Sequence, residues 1–126
     1  MKLREICKSK IHRATITAAD LHYVGSIGID KTLMQLTIII PGEKVSVWNI
    51  NNGERIETYE IPLEGDSGKV VVNGAAARHF QAGDTVIIVA ICLTDEPVTA
   101  KMIMVDKKNR FAKDLPSNHE ALSLES

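Results

Sequence analysis

Apolar and polar residues alternate over short stretches of this chain, the pattern of strands that bury one face and expose the other. Strands are predicted at residues 10–17, 26–30, 45–50, 55–61, 69–73, 85–93 and 101–106. Asn51-Asn52-Gly53 lies between two of them and predicts a hairpin turn, because Asn and Gly tolerate the positive φ of a tight turn. Many short strands predict a mainly β fold, closed as a small β-barrel, since closure removes exposed sheet edges.

Short helices are predicted between the strands. Thr17-Ala18-Ala19-Asp20 has the spacing of a helix-capping sequence and predicts one helical turn that ends near Tyr23. Residues 31–36 predict a second short helix, and the alanine-rich residues 74–80 predict a third.

Composition excludes several classes of protein. The 126 residues are 44% apolar and 25% charged, which is typical of a single globular domain. We assign this domain to residues 1–115 and predict a mobile tail over residues 116–126. Aromatic residues make up only 4%, so we expect an aliphatic core. The formal net charge of −1 leaves no basic field that would hold a nucleic acid or an anionic membrane.

The N-terminus and the cysteines predict a cytoplasmic location. The first residues carry charges but no apolar segment of a secretory signal, and no apolar run approaches the length of a membrane span. Cys7 and Cys92 lie far apart and form no paired motif, as is typical of proteins in the reducing cytoplasm. The four histidines do not fall at metal-ligand spacing, so no metal site is expected.

Two local features carry candidate chemistry. Residues 2–13 contain five Lys and Arg residues and form either a solvated strand face or a small anion site. Gly25-Ser26 is the only Gly-Ser step in the chain, and such a step is ordinarily a simple turn. Here it lies between a predicted helical turn and a predicted strand, which would hold the serine hydroxyl against the carbonyl carbon of Gly25. Common nucleotide-binding, metalloprotease and serine-hydrolase motifs do not occur.

Five segments in the same order resemble the aspartate 1-decarboxylase family. They are Lys10-Ile11-His12-Arg13, Ala19-Asp20-Leu21-His22-Tyr23-Val24-Gly25-Ser26, Asn51-Asn52-Gly53-Glu54-Arg55, Thr58-Tyr59 and Asn73-Gly74-Ala75-Ala76-Ala77. The match runs from about Met1 to Asp106, and five ordered segments are far more specific than any one of them. The resemblance implies a double-psi β-barrel and a homotetramer with active sites between neighbouring subunits.

The resemblance also implies the reaction and its cofactor. The chain would be a zymogen that cuts itself between Gly25 and Ser26, which converts Ser26 into a covalent pyruvoyl group. That group would form a Schiff base with L-aspartate, release CO₂ and give β-alanine for pantothenate synthesis. Glycine at position 25 would open backbone conformations that bring its carbonyl towards the hydroxyl. An accessory maturation protein is a possible partner.

The resemblance implies roles for four residues on the predicted strands, and Lys10 and Tyr59 also have purely structural explanations. Arg55 is the first candidate for gripping a substrate carboxylate, because its planar fork binds bidentately, and Lys10 is the second. Lys10 is otherwise a solvated lysine. Tyr59 would be the proton donor, or else an ordinary strand aromatic. The resemblance also implies that Thr58 binds substrate, although it points to the opposite face of an ideal strand from Tyr59. Both serve one site only if the strand bends, or if Thr58 acts across a subunit boundary or in self-cleavage, where it would polarise the Gly25 carbonyl.

Further residues would complete the pocket. Gly74, Ala75 and Ala76 match the backbone that binds substrate in the family, although helix propensity alone also explains this stretch. Asn73 would hydrogen-bond the pyruvoyl carbonyl. His12 and Trp48 would line the pocket, or Trp48 would belong to the core.

Two positions depart from the family pattern, and two other functions remain open. Gln35-Leu36-Thr37-Ile38 stands where small residues are expected, and Gly28 is expected to loosen the new N-terminus. The chain could instead be a non-catalytic β-barrel binding module that is never cut. It could also be a pyruvoyl enzyme that acts on another amino acid, although Arg55 and Lys10 together favour a dicarboxylate.

Overall fold

The computed structural model describes residues 1–117. It contains nine strands: β1 (Arg4–Thr15), β2 (Ala18–Asp20), β3 (Ser26–Asp30), β4 (Lys44–Asn49), β5 (Arg55–Leu63), β6 (Val70–Asn73), β7 (Thr85–Thr94), β8 (Lys101–Val105) and β9 (Phe111–Leu115). An α-helix, α1 (Lys31–Thr37), follows β3, and a 3₁₀ helix (Gly74–His79) follows β6. The predicted mainly β fold with short helices is confirmed. Of the predicted tail, residues 118–126 lie outside the described part of the chain.

The strands form one mixed sheet in the order β2-β6-β3-β5-β4-β7-β1-β8-β9. Only Ile16 and Thr17 separate β1 from β2, which lie near opposite ends of that order. The Ile16 N–H donates to the Asp84 carbonyl, and the Thr17 N–H donates to the Val70 carbonyl, so the chain itself draws the two ends together. The sheet therefore wraps into a small β-barrel.

The core of the barrel is aliphatic, as the composition predicts. One row across the sheet pairs Ile56, Val47, Ile88, Ile11 and Ile103 in register, and the last four are fully or almost fully buried. Because side chains alternate along a strand, the residues on either side of this row face outward. The outer face of β5, β4, β7 and β1 therefore carries the polar positions that matter below.

The Asn51-Asn52-Gly53 hairpin prediction is confirmed. β4 and β5 pair antiparallel, and Gly53 has a φ of 77° between them. The Asn49 side chain accepts from the Asn51 N–H, and the Asn52 side chain accepts from the Glu54 N–H. These bonds fix the start of β5.

Two elements differ from their sequence predictions. The predicted helical turn at 17–20 is wrong: Ala18–Asp20 is strand β2, which pairs parallel with β6. Thr17 Oγ1 both donates to the Val70 carbonyl and accepts from the Val70 N–H, and this long-range bonding overrides the local capping signal. The strand predicted at 101–106 is also not the last one, because β9 follows at Phe111–Leu115. Its side chains are mostly exposed, so it lacks an apolar signal.

The departures from the family pattern have local explanations. Gln35 lies in the last turn of α1, whose C-cap Ile38 adopts a left-handed conformation. A Cβ on Gly28 would lie 2.8 Å from Leu63 Cδ1, so Gly28 makes room for a packed leucine in the middle of β3 rather than loosening the strand.

No helix among the described residues is long and apolar enough to cross a membrane.

Candidate active site

Ser26 is the first residue of β3, and its hydroxyl is held on two sides. Asn73, its partner on β6, donates from Nδ2 to Ser26 Oγ at 3.2 Å. Ser26 Oγ donates in turn to the Val24 carbonyl, also at 3.2 Å. Ser26 is only 3% exposed, whereas Val24 and Gly25 are exposed. A buried, oriented hydroxyl therefore adjoins an exposed segment of chain.

The backbone of Gly25 packs directly against Gly74. Gly74 opens the 3₁₀ helix with a φ of 76°, and a Cβ built on it would lie 2.6 Å from Gly25 Cα and 2.8 Å from Gly25 N. Gly25 itself is not among the positive-φ residues, and a Cβ there would meet nothing within 4 Å. The expectation that Gly25 needs a conformation reserved for glycine is wrong for this structure, and the requirement lies at Gly74.

Tyr59 and Thr58 lie on β5 beside β3, on opposite faces. On the parallel strands β3 and β5, Ile27 lies beside Glu60. Ser26 precedes Ile27 and Tyr59 precedes Glu60, so Ser26 is at the level of Tyr59. Tyr59 is 41% exposed on the outer face, and Thr58 is half-buried opposite Val45. The register thus brings Tyr59 to the level of Ser26, as the strand period requires.

Arg55 and Lys10 lie on the outer face, away from Ser26. The Arg55 guanidinium stacks on the Trp48 ring, 4.7 Å from its centroid. A groove of about 500 Å³ contains Arg55, and an adjoining groove of about 480 Å³ contains Lys10; Trp48 lines both. Ser26 lines neither groove. Arg55 precedes Tyr59 by four residues of extended strand, or about 13 Å.

Both cations are free of carboxylate partners. Within residues 1–117 the ion pairs of the basic and acidic side chains involve neither Lys10 nor Arg55. Lys8, by contrast, pairs with Glu43 at 2.9 Å. Of the basic opening segment, Lys8 is therefore structural, whereas Lys10 has no ion-pair partner among the described residues.

His12 shares the outer face with Lys10. Burial lowers its pKa below the ordinary value of 6.5, and the positive charges of Lys10 and Arg13 lower it further. Its Nδ1 is buried without a hydrogen-bond partner in the described part of the chain. His12 is therefore a neutral ring at pH 7, and it lines neither the Arg55 groove nor the Lys10 groove.

Of the remaining predicted residues, Asn73 lies against Ser26 and Gly74 against Gly25, and Ala75 and Ala76 follow them in the 3₁₀ helix. Asn73 and Gly74 are buried, Ala76 is half-buried and Ala75 is exposed. The predicted helix at 74–80 is a 3₁₀ helix, not an α-helix. One chain thus holds two groups of site residues, one around Ser26 and one around Trp48.

Glu60, which follows Tyr59 on β5, is a fully buried acid that was not predicted from the sequence. Neither of its carboxylate oxygens has a hydrogen-bond partner of good geometry among the described residues. Burial is the main cause that raises the pKa of Glu60 to about 7, and the negative charge of Glu43 raises it further. The nearby backbone N–H groups of Glu43 and Gly42 lower the pKa, but by less. The alternation along β5 does place position 60 on the inner face, and that was the available signal.

Glu60→Gln is expected to change how stability depends on pH. The folded chain keeps a proton on Glu60 up to about pH 7, and the unfolded chain loses it near 4.5, so the free energy of unfolding falls as the pH rises through this window. The glutamine variant has no carboxyl proton to lose, so its free energy of unfolding does not fall in this way. Its Tm should rise relative to that of wild type as the pH increases from 5 to 8. The difference at pH 8 should be about 3 kcal/mol, because one pKa unit corresponds to about 1.4 kcal/mol.

Thermal unfolding at several pH values checks this, with Glu57→Gln, an exposed acid on the same strand, as the matched control. Parallel Tm profiles for wild type and Glu60→Gln would contradict the assignment of a protonated, buried carboxyl.

Comparisons with known proteins agree with this geometry. A family model described as aspartate decarboxylase matches residues 1–112. The aspartate 1-decarboxylase of Caldicellulosiruptor saccharolyticus is 55% identical over 115 residues, which are 88% of this chain and 90% of that protein. That of Listeria monocytogenes serovar 1/2a is 49% identical over 117 residues, 90% of this chain and 92% of the relative. That of Carboxydothermus hydrogenoformans is 52% identical over 110 residues, 84% of this chain and 87% of the relative. With a family model and relatives that span nearly all of the described fold, this chain belongs to the aspartate decarboxylase family.

Proposed function

We propose that this protein decarboxylates L-aspartate to β-alanine and CO₂, using a pyruvoyl group made from its own Ser26. The observation that carries the proposal is the Ser26 hydroxyl, buried and held by Asn73 Nδ2 and the Val24 carbonyl beside Gly25. The free cysteines fit the reducing cytoplasm, where we place the reaction.

Self-cleavage proceeds in three balanced steps. Ser26 Oγ bonds to the Gly25 carbonyl carbon, the Gly25–Ser26 C–N bond breaks, and the hydroxyl proton passes to the departing nitrogen, which leaves an ester. Removal of the Ser26 Cα proton then expels the upstream chain as a Gly25 carboxylate and leaves dehydroalanine. Addition of one water and loss of ammonia give the pyruvoyl end. The fragments are residues 1–25 and 26–126.

The residues around Ser26 fit a pyruvoyl group at this place. Asn73 supplies an amide donor to the Ser26 side chain, and the small Gly74 leaves the approach open. Once formed, the group supplies an electron-accepting ketone that takes the electron pair when the substrate carboxylate leaves. Tyr59, at the same level of the sheet, supplies the proton that the decarboxylated carbon then needs. Thr58 acts in the cleavage step.

Arg55 and Lys10 hold the two substrate carboxylates from a neighbouring subunit. Both are free of carboxylate partners in the described chain, and both lie in grooves that Ser26 does not line. Exposed Ile91 and Leu93 border the Arg55 groove and give it the apolar surroundings of an interface. A homotetramer that brings this surface to Ser26 of another copy completes the site.

Mixed tetramers test this arrangement. Arg55→Ala chains keep Ser26, and Ser26→Ala chains keep Arg55, so each variant alone should be inactive. Refolding the two together should restore a fraction of wild-type activity, because some interfaces then combine both intact residues. Activity no higher than in the separate variants would contradict a shared site.

Arg55→Lys should lower kcat/KM for aspartate by about 10- to 100-fold, because lysine keeps the charge and loses the bidentate fork. Self-cleavage should be normal, since its reacting groups, Ser26 Oγ and the Gly25 carbonyl, belong to one chain and Arg55 takes part in none of the three cleavage steps. Lys101→Arg, a charge-preserving change on β8 at an ion-paired lysine that lines neither groove, is the control. Steady-state kinetics with L-aspartate, and with L-glutamate as the alternative substrate, measure the effect. An unchanged kcat/KM would remove Arg55 from substrate binding.

Intact mass of the purified protein, combined with an assay for β-alanine, tests the function as a whole. Two fragments with a blocked N-terminus on the larger, and β-alanine formed from aspartate, support the enzyme. Cleavage of the purified chain alone would show that no accessory maturation protein is required. A single species that stays whole on prolonged warming would support the non-catalytic module instead.

A further inference from the structure

Gly68 and Gly74 are the two positive-φ glycines of the described chain at which a Cβ would lie within 3 Å of backbone atoms. Gly68 faces the Lys108 carbonyl oxygen at 2.6 Å, whereas Gly74 faces Gly25, the residue that carries the carbonyl of the cleaved bond. The φ of Gly74 is 76°, and Gly53 has almost the same value, 77°. A Cβ on Gly53 would meet nothing within 4 Å, whereas a Cβ on Gly74 would meet Gly25 Cα at 2.6 Å, Gly25 N at 2.8 Å and the Tyr23 carbonyl oxygen at 3.0 Å. Gly74 therefore combines a backbone conformation that favours glycine with a contact that excludes every side chain.

The contact falls on Cα and N of Gly25, the residue whose carbonyl carbon self-cleavage attacks. Ser26 pairs with Asn73 across β3 and β6, so Gly25 and Gly74 are the next residues outward on the two strands. Asn73 already holds the hydroxyl through Nδ2, and Gly74 supports the residue that carries the carbonyl. Two consecutive residues thus fix the two reacting groups. The exposed segment 21–25 makes few other hydrogen bonds in the described structure. The His22 N–H donates to Asp20 Oδ1, and the Val24 carbonyl accepts from Ser26 Oγ.

We propose that Gly74 is a positioning residue for self-cleavage, whose bare Cα lets Gly25 lie close enough for Ser26 Oγ to reach the carbonyl carbon. The inference rests on the proposed function, because it assigns a role in the step that makes the pyruvoyl group. Any side chain at position 74 would push Gly25 outward by about an ångström or more, since real Cβ atoms do not approach backbone atoms to 2.6 Å. A displacement of that size at reacting atoms costs about 100-fold in rate.

Gly74→Ala and Gly74→Asn test the proposal. Asn is the better second variant, because it tolerates positive φ and so introduces the Cβ with less backbone strain. Gly53→Ala is the matched control, with the same φ and open space. Freshly purified full-length chains are warmed, and uncut chain is followed by intact mass. Both Gly74 variants should cut about 100-fold more slowly than wild type. Gly53→Ala should cut at the wild-type rate even if its Tm falls.

Reaction with hydroxylamine distinguishes a block in ester formation from a general loss of stability. At neutral pH hydroxylamine attacks an ester and leaves ordinary amides intact, and the Asn52-Gly53 and Asn73-Gly74 bonds of this chain are cut only under harsher alkaline conditions. Brief neutral treatment therefore releases the fragments wherever Ser26 Oγ has already reached Gly25. Wild-type chain that is not yet processed should split on brief treatment with hydroxylamine. The Gly74 variants should resist, because the block precedes formation of the ester.

Three outcomes would overturn the inference. Cleavage of both Gly74 variants at the wild-type rate would show that the contact does not matter. Slow cleavage with rapid splitting by hydroxylamine would place the defect after ester formation. Failure of both variants to fold, while Gly53→Ala folds, would make Gly74 a requirement of folding instead. If wild type itself never cuts, the proposed function fails, and that result is distinct from all three.

Discussion

Ser26→Ala should leave the chain whole and wholly inactive. The variant lacks the oxygen that attacks Gly25 and the serine from which the pyruvoyl group forms. Neither self-cleavage nor decarboxylation can therefore proceed. The substitution also removes the hydrogen bonds to Val24 and Asn73, which is a modest loss of stability beside the loss of chemistry. Intact mass should show one species of 126 residues, and no β-alanine should form from L-aspartate.

Ser9→Ala is the control for the loss of a buried, hydrogen-bonded serine. Ser9 is fully buried, and its hydroxyl donates to the Thr37 carbonyl, so the substitution removes a comparable interaction far from Gly25. That variant should still cut. Formation of β-alanine by the uncut Ser26→Ala chain would refute the proposed mechanism.

Tyr59→Phe should separate cleavage from turnover. The change removes one hydroxyl from an outward-facing ring at the level of Ser26, so cleavage should proceed while kcat falls by about 10²–10⁴-fold, the range for loss of a general acid. KM should change little, because Arg55 and Lys10 still hold the carboxylates. Intact mass confirms processing, and steady-state kinetics give kcat.

Tyr23→Phe is the matched control for Tyr59→Phe. Tyr23 is the other tyrosine of the chain, is well exposed, and lines neither the Arg55 groove nor the Lys10 groove. Its hydroxyl should therefore be dispensable for turnover. A wild-type kcat in Tyr59→Phe would exclude Tyr59 as the proton donor.

Locally encoded elements could be predicted because their signals are complete within a few residues. The alternation at 45–50 and 55–61, with Asn51-Asn52-Gly53 between them, became the β4–β5 hairpin because both the pattern and the turn chemistry are local. The residues at 17–20 became strand β2 instead of a helical turn, because β6 offered hydrogen bonds from more than fifty residues away. Strand β9 carried no apolar pattern and forms by pairing with β8.

The candidate site divides in the same way. The two-residue period of a strand correctly separated Thr58 from Tyr59, and the ordered segments identified the family. The conformational demand that the sequence analysis assigned to Gly25 belongs to Gly74, because which glycine needs its missing Cβ depends on what packs against it. Glu60 escaped notice because only the packing around it strips a common acidic residue of water and partners.

By itself, the sequence determined the aliphatic β-rich character of this protein, its hairpin, the position of the Gly25–Ser26 bond and the family to which it belongs. Each of these depends on residue type and on spacing along the chain. The tertiary structure alone decided that Asn73 and Gly74 flank that bond, that Arg55 and Lys10 lie on a separate face, and that Glu60 keeps its proton near neutral pH. These depend on distances between residues remote in the chain, and only the closing of the barrel sets such distances.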